Sequence, residues 1–324
     1  MTPSRRRFLR LAGAAALASS ARGARAQAYP TRPLRLIIGY PPGGSADLTA
    51  RLSGQWLSDR LGQPVVVESR PGAATNLATE AVVRAPPDGY TLLLVAPANA
   101  INATLYDRLN FNFTRDIAPV AGLIRFPNVV IVNPGVPATT IPELIAYAKA
   151  NPGKLNMASS GNGSTIHVSG ELFKMMTGIN MIHVPYRGGA PALTDMISGQ
   201  VQVMFDNLPT SIEFIRAGKL RPLAVTTTER SHLVPELPTV ADFIPGYEAS
   251  AWYGIGAPKG TPAEIINALN KEINAILGDA AAKARFEALG AAVLPGSPAE
   301  FAALLAEETE KWGKVVKFSG AKPD

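Results

Sequence analysis

The stretch IIGYPPGGSADLTAR, residues 37–51, decides how the fold is interpreted. It passes from an apolar, strand-like run through two prolines and two glycines into a helix-like segment. Glycine lets another group approach the backbone closely, and the amides at a helix start are unpaired and partly positive. The stretch therefore predicts a strand, a turn that could hold a carboxylate or a phosphate, and a helix. The alternative is a plain connection in which Ser45 caps the helix and Asp47 stabilises its dipole.

The same order of strand, turn and helix returns along most of the chain. Residues 34–95 and 128–225 each hold short β-rich runs that alternate with helical patterns, which predicts parallel βαβ units. Many of the strands are almost wholly apolar, as expected where helices cover both faces of a sheet. One more strand is predicted at residues 249–258. Three helices should follow within residues 262–318, with no further strand among them, and could cover the first sheet.

Length and composition exclude several classes of protein. The chain has 324 residues, which is room for about two domains. No apolar run reaches the roughly 18 residues that a membrane span needs. Cysteine is absent, which excludes a disulfide, a thiolate metal site, a cysteine nucleophile and a lipid anchor on cysteine.

Residues 1–26 are predicted to be an export signal, cleaved near Ala26. A basic start and a short Ala-rich stretch precede a small-x-small site at Ala24 and Ala26. The segment SRRRFL, residues 4–9, resembles a twin-arginine signal, which exports folded proteins. An ordinary signal with extra arginines is the alternative. The sequence therefore predicts a soluble, unanchored protein of the periplasm.

The basic character of the chain comes from this segment. Six of the 31 basic residues and none of the 25 acidic residues lie before the predicted cut, so 25 of each remain. A neutral balance removes the argument for nucleic acid or an anionic membrane as a partner.

Two further strand-to-helix turns carry small and polar residues. Ligands of open parallel sheets bind where strands end and loops lead into helices. In SRPGAATN, residues 69–76, small residues leave room, and Asn76 is interpreted as a helix cap. In SSGNGSTIH, residues 159–167, short polar groups are dense enough to favour binding. Ser164 or Thr165 could also cap the helix there, and His167 is interpreted as structural.

The turn HVPYRGGAPAL, residues 183–193, repeats the Gly-Gly helix start of the opening stretch. Arg187 could pair with an anion there or stay solvated. A glycine turn in each half of the chain suggests a cleft that closes on an anion from both sides.

Motifs of catalysis are missing. The sequence has no Gly-x-Ser-x-Gly elbow, GNGSTI has Ile166 where a dinucleotide fingerprint needs glycine, and the histidines lack zinc-helix spacing. Asp206, at a predicted strand end, could bind a ligand amine or hydroxyl or cap the helix entered at Pro209. No catalytic residue, metal or cofactor is therefore predicted.

Five motifs together resemble a known family. They are, in order, YPPGGSADLTAR, VVVESRPGAATN, SSGNGSTIH, VPYRGGAPALTDMISGQV and MFDNLP. They are similar to the Bug-type receptors, the extracytoplasmic solute-binding components of tripartite tricarboxylate transporters. The resemblance spans nearly the whole chain after residue 29.

The resemblance implies a fold and a domain division. The implied fold is an α/β, two-domain periplasmic-binding-protein (Venus-flytrap) fold, in which each domain is a mostly parallel sheet flanked by helices and the ligand lies in the interdomain cleft. Domain 1 is expected to comprise residues 27–126 and 250–324, and domain 2 residues 127–249. Hinge crossings are expected near residues 124–128 and 225–250.

The resemblance also implies the site. A carboxylate would be gripped through backbone amides and ordered waters by the two glycine turns, and the rest of the ligand would meet the other turns. The gripping residues carried over are Pro42, Gly43, Gly44, Ser45, Arg187, Gly188, Gly189 and Ala190. The residues carried over for the other end are Ala73, Ala74, Thr75, Ala98, Asn99, Ser160, Asn162, Ser164 and Asp206. The chain departs from the family at Tyr40, also assigned to the site, where members often have Phe, and near Ala73 and Ala74, where they often have glycine.

The implied function is capture of a small organic anion with at least one carboxylate, for uptake or sensing. Dicarboxylates, tricarboxylates, acidic amino acids and aromatic acids are the candidate ligands. The partners would be membrane subunits of a tripartite transporter or a sensor kinase, and the receptor is expected to be a monomer. The alternative from another class is an α/β serine hydrolase of small carboxylic esters that uses Ser45 or Ser164.

Overall fold

Two separate β-sheets organise residues 29–323, the part of the chain that the computed structural model describes. The strands are β1 (Leu34–Ile38), β2 (Val65–Ser69), β3 (Thr91–Val95), β4 (Ile117–Phe126), β5 (Asn128–Val132), β6 (Asn156–Ser159), β7 (Ile182–Pro185), β8 (Val203–Asn207), β9 (Arg221–Val225), β10 (Ala251–Pro258) and β11 (Ala292–Val293). The first sheet has the order β11-β4-β10-β3-β1-β2 and the second has the order β7-β6-β8-β5-β9.

Helices cover both faces of each sheet, as the apolar strands predict. The helices are α1 (Ser45–Leu61), α2 (Asn76–Val83), α3 (Pro97–Leu105), α4 (Phe113–Asp116), α5 (Ile141–Ala150), α6 (Thr165–Thr177), α7 (Gly189–Ser198), α8 (Leu208–Arg216), α9 (Ala263–Gly278), α10 (Ala280–Glu287) and α11 (Pro298–Ser319). In the first sheet, α1 and α9 pack on one face, and α2 with the first half of α11 pack on the other. In the second sheet, α7 and α8 pack on one face, and α5 and α6 on the other.

The direction of the strands brings the predicted turns together. β3 and β4 both pair antiparallel with β10, so β4 runs the same way as β1, β2 and β3. Pro127 alone separates β4 from β5, and β5 pairs antiparallel with β8, which is parallel to β6 and through it to β7. The carboxyl-terminal edges of the two sheets therefore face each other across this short crossover. The turns after β1, β2 and β3 lie on one side, and those after β6, β7 and β8 on the other.

The last helix, α11, contacts both sheets, and this differs in part from the expectation that it covers the first. Phe301 and Leu305 pack with Trp252 beneath the first sheet. About two helical turns further on, Trp312 and Val316 join the apolar core beneath the second sheet. Between these halves the buried carboxylate of Glu308 accepts hydrogen bonds from the indoles of Trp252, at 2.9 Å, and Trp312, at 2.7 Å.

Among the elements that depart from the sequence-based predictions are α3, β4 and β11. α3 was not predicted because seven of its nine residues are buried, which leaves no amphipathic period. β4 was not predicted because Pro119 and Gly122 argue against a central strand; both lie next to the register shifts in its pairing with β10. The expectation of no strand among the last helices was wrong, because β11 pairs with β4.

Two predictions, the export signal and the domain boundaries, are not tested by the topology of the sheets. The export signal and its cleavage site lie outside the described residues. The sheets change at Pro127 and again between β9 and β10, whereas the predicted domain boundaries remain predictions. Within residues 29–323, no helix has both the length and the apolar content that crossing a membrane would take.

Candidate ligand-binding cleft

The first turn opens its backbone to solvent at the start of α1. Pro42, Gly43 and Gly44 are exposed, and Gly43 has φ +90°, which favours glycine. A Cβ built on Gly43 or Gly44 would meet no heavy atom of the described chain within 4 Å. The amides at this helix start are therefore accessible to a ligand from the direction of the second sheet.

The side chain of Asp47 stabilises this turn through a hydrogen bond to its backbone. Its Oδ2 accepts a hydrogen bond from the Gly43 amide at 3.0 Å, and its Oδ1 accepts one from Arg51 Nε at 2.9 Å. The Arg51 hydrogen bond, helped by that amide, keeps the pKa of Asp47 below its usual value. Asp47 therefore has the helix-start role predicted for it, and Arg51 offsets its charge next to the turn.

Ser45 does not cap α1, which corrects that interpretation. Gly44 occupies the cap position, and Ser45 is the first helical residue. The Ser45 hydroxyl instead lies 2.9 Å from the phenol oxygen of Tyr253 on β10, one of the strands that follow the crossovers. Tyr40 lies edge-on to Tyr253, with ring centroids 6.5 Å apart. Tyr253 was not among the predicted site residues; its place at a strand start after the second crossover, in ASAWYGIG, was the available signal.

The fourth turn repeats this construction on the second sheet. Gly188, with φ +110°, caps α7, which begins at Gly189. A Cβ on either glycine would meet nothing within 4 Å among residues 29–323. Arg187 and Ala190 are exposed beside them. As at the first turn, an aspartate stabilises the turn: Tyr186 donates a hydrogen bond to Asp195 Oδ2 at 2.6 Å. Burial, together with this contact, raises the pKa of Tyr186 to about 12.

The third turn is capped as predicted and contacts α3. The Ser164 hydroxyl accepts from the His167 amide at 3.2 Å and donates to the Gly161 carbonyl at 2.7 Å. A Cβ on Gly163 would lie 2.4 Å from Leu105 at the end of α3. This turn therefore packs directly against a helix that follows a strand of the first sheet. Ser160 and Asn162 lie half-buried in the same turn.

Two stacked histidines support the third turn. The rings of His167 and His183 are parallel within 8°, with centroids 3.7 Å apart. His167 Nδ1 accepts the Gly163 amide at 3.1 Å, and His183 Nε2 lies 2.6 Å from the Ser159 hydroxyl. Burial, then the neighbouring His183 and Lys174, lower the pKa of His167 to about 3. A neutral His167 thus acts as a hydrogen-bond acceptor for the turn, consistent with a structural role.

The second turn is a left-handed turn made without glycine. Ala73, Ala74 and Thr75 have φ values of 46°, 48° and 78°. The left-handed conformation costs an L-residue roughly 1–2 kcal/mol, and such strain clusters at functional sites. Gly39 makes the turn possible, because a Cβ there would lie 2.5 Å from the Cβ of Thr75.

Asparagines on α3 hold this left-handed turn. Asn102 Nδ2 donates to the Ala74 carbonyl at 2.5 Å and to Asn76 Oδ1 at 3.0 Å. Asn99 Nδ2 donates to the hydroxyl of Thr75, at 3.3 Å, and to that of Thr79, at 2.8 Å. Asn76 is the first residue of α2 and makes no side-chain cap within the described residues, so its interpretation as a cap was wrong. Ala98 and Asn99 are buried, and Asn99 supports the turn from behind.

Asp206 is only 1% exposed at the end of β8. Its Oδ2 accepts from Thr210 Oγ1 at 2.6 Å, at the start of α8. Burial raises its pKa to about 6, although donors from Thr210, Asn207 and Ser211 oppose the rise. Of the two roles left open by the sequence, the helix cap belongs to Asn207, while Asp206 contacts the Thr210 hydroxyl in the first turn of α8; the ligand contact of Asp206 stays a prediction.

The turns do not assemble a hydrolase. Ser45 contacts a phenol, and Ser164 contacts a backbone amide and a carbonyl. Ser159 is the serine of these turns whose hydroxyl contacts a histidine ring, and Ser159 is fully buried. Across residues 29–323, no three His, Asp or Glu side chains are close enough to hold a metal ion.

Comparison with known proteins decides the family. A profile described as the tripartite tricarboxylate transporter family receptor matches residues 49–320. The chain belongs to this receptor family. Family membership confirms the resemblance of the five motifs. It also confirms that the chain is not an enzyme, because the family consists of periplasmic substrate-binding receptors.

Relatives match this family receptor over nearly their full lengths. Protein BugT of Bordetella pertussis is 38% identical over 318 residues, 97% of this chain and 96% of BugT. The structure of R. palustris Rpa4515 with adipate has a TM-score of 0.82 at 39% identity and covers 91% of this chain and 100% of that one. MatC from Rhodopseudomonas palustris with bound malate has a TM-score of 0.78 at 31% identity and covers 89% and 100%. These likenesses confirm the predicted two-domain α/β fold.

Proposed function

We propose that this receptor captures a small carboxylate between its two glycine turns and releases it to a membrane partner. The observation that carries the proposal is the pairing of residues 42–45 with residues 187–190. Both turns expose amides at a helix start, and the strand directions set them at facing edges of the two sheets. Two helix starts aimed at one cleft favour an anion.

The relatives support a carboxylate as that anion. Rpa4515 is described with adipate and MatC with malate, and both cover most of this chain. Adipate and malate are both dicarboxylates, so one carboxylate could lie between the glycine turns while the other end meets the second and third turns. Ala73, which is exposed, belongs to the second turn, and Asn162, which is half-buried, belongs to the third.

Binding through amides suits a receptor that must also let its ligand go. Amides and ordered waters contribute specificity without a buried charge clamp. We expect the domains to close on the ligand by rotation at Pro127 and within residues 226–250, the two crossovers. The exported monomer would then deliver its ligand to the membrane subunits of a tripartite transporter or to a sensor kinase.

Two measurements test the proposal. Native mass spectrometry of the purified protein should show a 1:1 adduct with the mass of a small carboxylic acid. In a thermal-shift panel, mono-, di- or tricarboxylates should raise the Tm in a saturable way, because a ligand that binds only the folded state stabilises it. Stabilisation by sugars or cations alone would contradict a carboxylate receptor.

A substitution locates the site. Gly44→Trp should abolish the carboxylate-dependent rise in Tm while the protein still folds, because a side chain there projects into open space. Gly278→Trp is the matched control: Gly278 is exposed at the end of α9, and a Cβ there also meets nothing within 4 Å of the described chain. Equal ligand responses from the two variants would count against the first turn as the binding site.

A further inference from the structure

A second cavity lies between the domains, on the side of the crossovers away from the glycine turns. It has a volume of about 280 Å³, and we call it the rear cavity; it is lined by Arg125, Thr227, Thr228, Arg230, Ser231 and Gly290, among others. In both sheets the strands that lead into the predicted ligand turns lie on one side of β4 and β5, whereas β11 and β9 lie on the other. The rear cavity is built from the residues around β11 and after β9, so it is separate from the candidate ligand-binding cleft.

Arg125 is one of the two arginines that line the rear cavity. It lies on β4, paired with Trp252 on one side and Ala292 on the other. Its Nε is buried and finds no hydrogen-bond partner among the described residues. A buried, unpaired guanidinium donor is costly unless water or a ligand satisfies it. The position of Arg125 in a paired strand fixes its backbone next to the cavity.

Further donors line the same cavity. Arg230 has one hydrogen bond in the described chain, a long one of 3.4 Å to the Pro235 carbonyl. Thr228 and Ser231 add hydroxyls, and Ser231 Oγ accepts the Leu233 amide at 3.3 Å, which leaves its own proton for donation. Two guanidinium groups with hydroxyls around one cavity suit an oxyanion, because charge-assisted hydrogen bonds to such groups are the strong ones.

The acceptors near the rear cavity are already used or free to turn away. Glu248, which also lines the cavity, accepts from Ser250 at Oε1 and from Lys311 at Oε2, the latter at 2.7 Å. Burial acts to raise the pKa of Glu248, but Lys311, Ser250 and the nearby charge of Arg125 hold it below its usual value, so Glu248 stays an anion that is already paired. The Glu287 carbonyl, at the end of α10, is hydrogen-bonded to His232 Nε2 at 2.9 Å. Glu229 is exposed and can point into solvent. The groups left for a ligand are therefore mainly donors.

We infer that the rear cavity is a second binding site, which takes a small oxyanion such as phosphate, sulfate or a carboxylate through Arg125 and Arg230. Its walls come from both domains: Arg125 and Gly290 adjoin strands of the first sheet, and residues 227–231 follow β9 of the second. An anion bound there contacts both sides of the crossovers. Its binding and the closure of the ligand-binding cleft are consequently linked, and each changes the equilibrium of the other.

The test measures binding of inorganic phosphate by isothermal titration at constant ionic strength, with chloride as the replacement anion. The background is Gly44→Trp, so that phosphate in the candidate ligand-binding cleft cannot account for the signal. We expect one phosphate per chain. Arg125→Gln should weaken it at least about 10-fold and Arg230→Gln at least about 3-fold, as expected for lost charge-assisted hydrogen bonds.

Arg216→Gln is the matched control, because it removes the same charge from an exposed ion pair with Glu213 on α8. Its phosphate affinity should stay unchanged. If Arg125→Gln fails to fold, as judged by circular dichroism, Arg230→Gln carries the comparison. Phosphate binding that is unsaturable, absent from the Gly44→Trp background, or equal in all variants would overturn the inference.

Discussion

At the scale of single residues, Tyr253 connects the first turn to the crossover. Its phenol lies 2.9 Å from the Ser45 hydroxyl, while its ring packs beside Tyr40 and Phe126. A serine hydroxyl that is oriented by a phenol can donate to a carboxylate at the helix start. The residue that positions this hydroxyl therefore lies on a strand that itself follows the crossover.

Tyr253→Phe should weaken carboxylate binding about 3- to 10-fold, the value of one net hydrogen bond. The effect should largely vanish in the Ser45→Ala background, because the two residues act through the same hydroxyl. Isothermal titration with the acid that most raises Tm measures both. Tyr90→Phe, which removes the phenol bonded to Thr31 at the far end of β3, is the control. Additive losses from Tyr253→Phe and Ser45→Ala would contradict this role for Tyr253.

His167 makes stability depend on pH. Its folded pKa is lowered to about 3, so between about pH 6.5 and 3 the unfolded chain binds a proton that the folded chain does not. The free energy of unfolding should therefore fall as pH falls through this window, by up to about 1.4 kcal/mol per pH unit. His167→Gln should flatten this slope in urea denaturation series, whereas the exposed control His232→Gln should keep it. A wild-type slope in His167→Gln would contradict the assignment.

At the scale of elements, α3 is the support of the left-handed second turn. Asn102 holds the Ala74 carbonyl and the Asn76 side chain, and Asn99 holds Thr75. Without these contacts, three consecutive left-handed residues would lose the partners that offset their strain. The helix thereby shapes the part of the cleft that we expect to contact the variable end of the ligand.

Asn102→Ala should lower the free energy of unfolding by about 1–3 kcal/mol, because it leaves the buried Asn76 Oδ1 and the half-buried Ala74 carbonyl without this donor. Adding Ala74→Gly should restore part of the loss, since glycine tolerates the left-handed conformation. Urea denaturation measures both steps. Asn110→Ala, which removes an exposed 3.3 Å contact to Glu80, should change stability little. A neutral Asn102→Ala would show that α3 does not support this turn.

Elements with a clear hydrophobic period could be predicted from the sequence, whereas elements that depend on packing could not. The glycine turns and the helices that follow them were predicted because backbone geometry and periodicity mark them locally. α3 was missed because it is buried on nearly all sides, and β4 because its Pro119 and Gly122 are accommodated by register shifts. The same limit applied to the site. Tyr253 and the stacked His167 and His183 depend on contacts across 208 and 16 positions of the chain, which no local pattern encodes.

At the scale of the whole molecule, α11 joins the two sheets. Its first half packs with Trp252, its second half joins the core of the second sheet, and the buried Glu308 lies between two indoles. Lys311 pairs with Glu308 and with Glu248, which lies within the second crossover. The helix therefore lies at the pivot that we propose for closure, and any rotation must preserve or rearrange these contacts.

The central claim, that one carboxylate is held between turns from both sheets, is tested most directly by amide NMR. The protein, labelled with 15N, is titrated with the carboxylate that most raises its Tm. We predict that the amides of Gly44 and Ser45 and those of Gly189 and Ala190 shift together, with one affinity and one ligand per chain. Shifts confined to one sheet, or to residues 227–231 of the rear cavity, would contradict the account.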